Sequence, residues 1–385
     1  MNDSADGNRR QISRRLVLFF PGFEPLGAEQ HRGRFEHALK KTGAVYGARY
    51  SASALHMRPS GMQGFTVVGT GDDWRTQTDI VIFDWSPVLE HFAARNALVR
   101  FGSGLSALVG FIVRGTLFHY LKTSWRYGLF FAYPLVMLVG SLLLGLLAAS
   151  LLGHGIVTWL VGFLIFTSAV TIASRNAHLL LMMDDWAFAS NLAAGGHSLI
   201  EDTLKTFQSA AEAELSGSTS ENLVIGHSLG CIFAVDALAS ATTSVRDPAS
   251  LMTTGSSLLK IALDQRADWL RNRIGALANS GVLWLDVQSL TDPISFYGSN
   301  PAVSSGFDSP PGLKTLRVRF REMLSPDTYA KVKFNLFRTH RQFVLAAELP
   351  YFYSLHQIAC GPDPFELVWK SNGLPDFVRP LREQK

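Results

Sequence analysis

Between Arg126 and Arg175 the chain carries no Asp, Glu, Lys or Arg. Two apolar runs fill this stretch, 129–152 and 155–174, and meet at Gly153-His154-Gly155. As helices rising about 1.5 Å per residue they reach about 36 Å and 30 Å, against a hydrocarbon core of about 30 Å. An uncharged stretch of this length is too much for the interior of a domain this size. The expectation is a helical hairpin that enters and leaves a membrane on the same side. The whole chain agrees: 17% of its 385 residues are charged, where a soluble protein carries about 25%.

The flanks carry the matching signals. Arg95, Arg100, Arg114, Lys122 and Arg126 precede the first run without an acidic residue among them, and Tyr120, Trp125 and Tyr127 lie close to it. Basic flanks mark the cytoplasmic side, and aromatic residues anchor at the interface. The stretch Leu105 to Leu121, which mixes apolar positions with Arg114, is expected to lie along the membrane surface. The net charge of +4 is too mild, and the basic residues too scattered, for a nucleic-acid partner.

Outside this insertion the pattern is α/β. Residues 1–14 read as a basic, disordered tail, and Leu16 to Phe20 as a buried strand stopped by Pro21-Gly22. A mostly polar helix follows over Glu29 to Lys41, then strands at Phe65 to Val68 and Asp79 to Phe83; Gly69-Thr70-Gly71 between them reads as a turn. After the hairpin a long helix is expected from Ala187 to Leu215. Strands follow at Leu223 to Ile225, Leu251 to Thr254, Val282 to Val287 and Val332 to Phe337. Alternating strands and helices predict a mainly parallel sheet covered on both faces. The core is thus split: 15–86 before the insertion of 87–200, and 201–385 after it.

One motif carries chemistry. Gly226-His227-Ser228-Leu229-Gly230 follows a short apolar strand and precedes an Ala-rich helix. A serine on such a strand–turn–helix needs glycine two residues to either side, because the turn is tight. It also stands at a helix N-terminus, which favours developing negative charge. Ser228 is therefore the candidate nucleophile, with Gly226 and Gly230 as the turn glycines.

A serine nucleophile needs a base and a group that orients the base. In the serine–acid–histidine chain order of such elbows, Asp292 lies in a loop past a strand end, whereas Asp286 lies inside the strand. Asp292 is the preferred acid and Asp286 the alternative. His340 is placed in a loop after the last expected strand, leading into a helix over Phe343 to Glu348. His356 comes after Pro350 and an aromatic cluster. His340 is the preferred base and His356 the alternative; His227 is expected to point away from Ser228 as a packing or pocket residue. The oxyanion needs two N–H donors. Leu229 supplies one, and Phe23, in the loop after the first strand, is the candidate for the other, since Pro21 cannot donate. Two cysteines, Cys231 and Cys360, show neither CxxC nor Cys/His metal spacing, and this serine chemistry calls for no metal or organic cofactor.

These residues resemble the α/β-hydrolase superfamily, and within it the lipases and esterases. The resemblance rests on Pro21-Gly22-Phe23, on Gly226 to Gly230, on Thr253-Thr254-Gly255-Ser256 and on Asp292-Pro293-Ile294. The arrangement is also similar to a group of bacterial membrane proteins whose hydrolase core is interrupted by a transmembrane hairpin, with a His-x-x-aromatic motif that His340 to Phe343 matches. The resemblance covers most of the chain outside 87–200. It departs at Pro21, where a histidine usually precedes the oxyanion glycine, which leaves the second donor open. It implies an α/β-hydrolase sheet, a Ser-His-Asp triad and cleavage of an ester or thioester, with a small-molecule or lipid ester as substrate. An acyltransferase using the same triad, or a catalytically silent membrane scaffold, are the alternatives. The implied location is a bacterial inner membrane crossed more than once, with the catalytic domain facing the cytoplasm.

Overall fold

The computed structural model describes residues 11–377 apart from 154 and 218. Strand β1 (Arg14–Phe20) is followed by helix α1 (Ala28–Tyr46) and then by β2 (Arg49–Ala52), β3 (His56–Met57), β4 (Gln63–Thr70) and β5 (Arg75–Ile82). Helices α2 (Ser86–Ala93), α3 (Ala97–Val113), α4 (Thr116–Thr123), α5 (Trp125–Leu151), α6 (Ile156–Asn176) and α7 (Leu179–Ala194) come next. Helix α8 (Ser198–Leu215) leads back to β6 (Asn222–His227), α9 (Gly230–Ser240), β7 (Ala249–Thr254), β8 (Leu283–Ser289) and β9 (Leu313–Val318).

The strands form one nine-stranded sheet in the order β2-β4-β5-β1-β6-β7-β8-β9, with β3 beside β4. Every neighbouring pair from β5 to β9 is parallel; β4 runs antiparallel to β5, and β2 to β4. Strand β1 shows why the sheet is buried on both faces. Leu16, Leu18 and Phe20 join the core on one side, Val17 and Phe19 the core on the other, as the two-residue period of a strand requires. Leu18 pairs with Val81 on one side and Val224 on the other, so strands from before and after the insertion close one sheet.

The insertion leaves from the carboxyl end of β5, the same edge at which β1, β6, β7 and β8 end. Helices α5 and α6, of 27 and 21 residues, are long and apolar enough to cross a membrane. They pack as an antiparallel pair whose backbones meet at Gly145 and Gly162. A Cβ on Gly145 would lie 2.7 Å from the Gly162 carbonyl oxygen, and the reverse holds at Gly162. Small residues let helix backbones meet where lipid offers no hydrophobic drive to association. Leu142, Leu146, Trp159, Phe163 and Leu164 point away from protein, while the hydroxyls of Ser141, Thr171 and Ser174 bond back to carbonyls of their own helices. Helices α2 and α3 form a sharply bent apolar pair, at 109°. Leu98, Leu105, Val109 and Val113 of α3 and Phe118 of α4 extend the exposed apolar surface beside the hairpin.

Ion pairs hold the insertion together and fasten it to the core. Arg100 and Arg95 both reach Asp184 of α7 within the insertion, and Arg114 donates to Asp264 of the core at 2.8 and 2.9 Å. Three of the five basic residues before the hairpin are therefore engaged by internal carboxylates. Arg126 donates to the Leu290 carbonyl at 2.7 Å.

Several expected elements differ. Residues 1–10 of the expected tail and His154 of the expected hairpin turn lie outside the described residues. Residues 12–14 belong to the fold: Ile12 is buried and its N–H donates to the Pro362 carbonyl, and Arg14 opens β1. The single helix expected over Ala187 to Leu215 is two, broken at Gly195-Gly196, both at positive φ. The helix along 105–121 is likewise broken, at Gly115 with φ 76°. The strand expected at Val332 to Phe337 is absent: Pro326–Val332 and Leu336–His340 are helical, and the last strand is β9. The alternation of Val332, Phe334 and Leu336 misled, because Ser325 caps a helix at the Thr328 N–H with Pro326 in its first turn, a stronger local signal.

The glycine contact yields a test of the hairpin. Gly145→Val forces the two helices apart, an overpacking that costs about 1–3 kcal/mol, whereas Gly140, with nothing within 4 Å of its Cβ position, accepts the same change. Thermal unfolding in detergent checks this: the Gly145 variant melts lower and the Gly140 variant melts like the parent.

Candidate active site

Ser228 sits between β6 and α9 with φ 54°, in the left-handed region that a side chain rarely adopts. The turn is held by the Ser228 N–H donating to the Thr254 carbonyl at 3.0 Å and by the Ser257 N–H donating to the Ser228 carbonyl at 3.2 Å. Both flanking glycines are required by space. A Cβ on Gly226 would come 2.6 Å from the Cys231 Cα, and one on Gly230 would overlap the Phe20 and Pro21 carbonyls. Gly22 is equally tight, since its Cβ would stand 2.8 Å from His227 Nδ1 and 3.0 Å from Ser228 Cβ. The loop after β1 therefore lies directly on the serine turn.

That loop is anchored from the segment just before the insertion. Trp85 Nε1 donates to the Pro21 carbonyl at 2.8 Å, and the Asp84 carboxylate accepts the Ala28 N–H at 3.0 Å and the Ser86 N–H at 2.8 Å. Phe23 packs edge-on against Trp85 and lines the space in front of Ser228. Leu229 opens α9, where the first N–H groups of a helix lack partners within it.

His340 closes the helical turn Leu336–His340, which Asn335 caps at the Arg338 N–H. Its Nδ1 lies 2.8 Å from Asp292 Oδ2. Asp292 is fully buried, and its second oxygen accepts the Ile294 N–H at 3.0 Å. Because the carboxylate accepts, Nδ1 is the donor of this bond, and in the neutral ring that tautomer makes Nε2 the acceptor. Among the described residues Nε2 has no hydrogen-bond partner although it is buried. Gly255, at φ 52°, makes room for this histidine: a Cβ there would meet the Phe343 ring at 2.7 Å and His340 Cε1 at 3.1 Å.

Ser228 and His340 line the same cleft, of about 190 Å3, with Phe23, Leu181, His227 and Phe337 among its walls. The Ser228 hydroxyl makes its contact with Ser257 Oγ, at 3.5 Å, so it must turn from Ser257 to bond His340. His227 is a wall residue of this cleft: its Nε2 lies 3.4 Å from the His340 carbonyl oxygen and the two rings are 5.0 Å apart. Burial holds it neutral, well below the usual histidine range.

The alternatives are placed elsewhere. Asp286 faces Thr253 Oγ1 and Gln288 Nε2, each at 2.6 Å, inside the sheet, and burial raises its carboxyl to about 6. His356 packs edge-on against Phe35 at 4.5 Å, and burial lowers it to about 3. It lines a separate cavity of about 20 Å3 behind the loop after β1.

Other site residues escaped sequence reasoning. Ser257 lies at the end of the Thr253-to-Ser256 run, one residue beyond the stretch that drew attention. Glu24, Arg34 and Arg341 pair at the mouth of the cleft, and Lys260 with Asp185 beside the serine. Nothing in the local sequence brings 185 next to 260. Among the described residues no group of three or more His, Cys, Asp or Glu is arranged to hold a metal. Comparison with known protein families, with curated proteins and with solved structures returned no match.

Gly230→Ala tests the crowding at the turn. The added methyl meets two backbone carbonyls that cannot move independently of β1, so the variant is expected to lose several kcal/mol of stability or to fail to fold, in the range about 1–3 kcal/mol and above for overpacking. Gly33→Ala, in open space on α1, is the matched control and should melt no lower than the parent.

Proposed function

We propose that the protein is a membrane-attached serine hydrolase of the α/β-hydrolase class that cleaves an ester or thioester through an acyl-enzyme. One observation carries the reading. A serine in left-handed geometry shares a cleft with a histidine whose Nδ1 is held by a buried carboxylate and whose Nε2 is buried without a partner among the described residues. A buried acceptor without a partner is costly, and a serine proton arriving at Nε2 removes that cost.

The chemistry follows from the arrangement. Ser228 Oγ attacks the scissile carbonyl carbon as its proton passes to His340 Nε2, and Asp292 stabilises the imidazolium. The carbonyl oxygen becomes an oxyanion facing the N–H groups of Leu229 and Phe23. Collapse breaks the bond to the alcohol or thiol, which leaves with the proton from His340. Water then gives a proton to His340 and attacks the acyl-serine, releasing the acid and restoring the serine.

The hairpin brings this chemistry to a lipid surface, which favours an acyl lipid or similar ester. The pair α5 and α6 crosses the bilayer, α3 and α4 lie against it, and the sheet faces the cytoplasm, with Lys122, Arg126 and Arg175 at the inner ends of the spans. Alkaline phosphatase fused after Gly155 is then active and a fusion at the C-terminus is inactive; the opposite pattern reverses the orientation.

A fluorophosphonate probe should label one residue, and Ser228→Ala should abolish the label. His340→Ala should lower kcat by roughly 10⁴-fold or more, and Asp292→Asn by about 10⁴-fold, with His356→Leu and Asp286→Asn costing far less. Full labelling of the Ser228 variant, or a larger loss at His356 than at His340 in folded proteins, contradicts the assignment.

A further inference from the structure

Beside the main cleft a second cavity, of about 60 Å3, opens onto Ser228, Leu229 and Ser257. Part of its wall comes from the insertion, Tyr127 and Phe130 in the first turns of α5 and Leu181, Met182 and Asp185 on α7, and the rest from the core, His340 included. Most of the lining is apolar, but two polar features are set into it. Tyr127 is fully buried, with its ring stacked on Phe296 at 3.9 Å, and among the described residues its hydroxyl has no hydrogen-bond partner. Lys260, also buried, pairs with Asp185 and lies 4.0 Å from the Trp186 ring centre.

A plain alkyl chain in this cavity would leave the Tyr127 hydroxyl unpaired and cover an ion pair with hydrocarbon, both unfavourable. An anion fits no better, because Asp185 already neutralises Lys260. An uncharged oxygen that both donates and accepts meets every group present. It can accept from the tyrosine hydroxyl or from a spare donor of the ammonium, and donate to the Asp185 carboxylate. The larger cleft, bordered by Glu24, Arg34 and Arg341, suits the departing alcohol and the entering water.

We infer that the cavity under α5 is the acyl subsite and that it selects an acyl group carrying a hydroxyl a few atoms from the scissile carbonyl. The inference rests on the hydrolase reading above. It makes the first turn of a membrane helix part of substrate recognition.

The test uses the purified full-length protein in detergent with three p-nitrophenyl esters: butyrate, 3-hydroxybutyrate and hydrogen succinate. The parent should favour the hydroxy ester over butyrate by about fivefold or more in kcat/KM, the effect of one or two added hydrogen bonds. Tyr127→Phe and Lys260→Met should bring that ratio towards one in protein whose Ser228 still takes a fluorophosphonate label. Equal kcat/KM for the two esters in the parent overturns the subsite, as does a preference for the succinate or one that survives in both variants. Protein that neither labels nor turns over any ester overturns the hydrolase reading and the subsite with it; labelling with no hydroxyl preference overturns the subsite alone.

Discussion

The site depends on one close approach of backbone to backbone. The start of α9 at Gly230 lies against the carbonyls of Phe20 and Pro21, with no room for a Cβ. This contact seats the serine turn on the loop after β1 and brings Gly22 and Phe23 in front of Ser228. The positive φ of Ser228 is sustained by that seating and by two main-chain hydrogen bonds, from Ser228 to Thr254 and from Ser257 to Ser228. Strain of this kind, of order 1–3 kcal/mol, persists only where the surroundings fix it. Here β1, β6 and β7, adjacent and parallel, supply the fixing groups from three separate parts of the chain.

Parallel pairing also explains why an insertion so foreign to a sheet protein does not disrupt it. Strand β5 delivers the chain to the carboxyl edge, the insertion is built there, and α8 returns it to begin β6. The edge that exports α5 and α6 is therefore the edge that carries Ser228, Asp292 and His340. Helix α7 covers the cleft on its way back, and two ion pairs, Lys260 with Asp185 and Arg114 with Asp264, join the insertion to the core. Breaking such a buried pair from one side is strongly destabilising, so the insertion behaves as part of the core rather than as an appendage.

What was legible in the sequence follows from the range of the forces involved. The buried parallel strands announce themselves as apolar runs, and the uncharged stretch as two long apolar helices, because each signal lies within one element. The glycines around Ser228 were equally readable, since their spacing reports a local turn. His340 and Asp292 meet as a pair, yet the strand expected before His340 is a helix, because the period-2 pattern of 332–337 competed with the capping serine and proline upstream. The Lys260–Asp185 pair and the Glu24–Arg34–Arg341 group depend on how α7 and α1 dock, which no local pattern encodes. Three of the five cations before the hairpin also pair with buried aspartates, contacts that no local pattern encodes.

The account is tested most directly by an experimental structure of the protein after reaction with a fluorophosphonate. It predicts a phosphorus bonded to Ser228 Oγ, with the phosphonyl oxygen between the N–H groups of Leu229 and Phe23. His340 Nε2 should lie within hydrogen-bond reach of Oγ or of the phosphonate, with Nδ1 still on Asp292. An adduct on any other residue, or one on Ser228 with His340 turned out of the cleft and Asp292 unpaired, would contradict it.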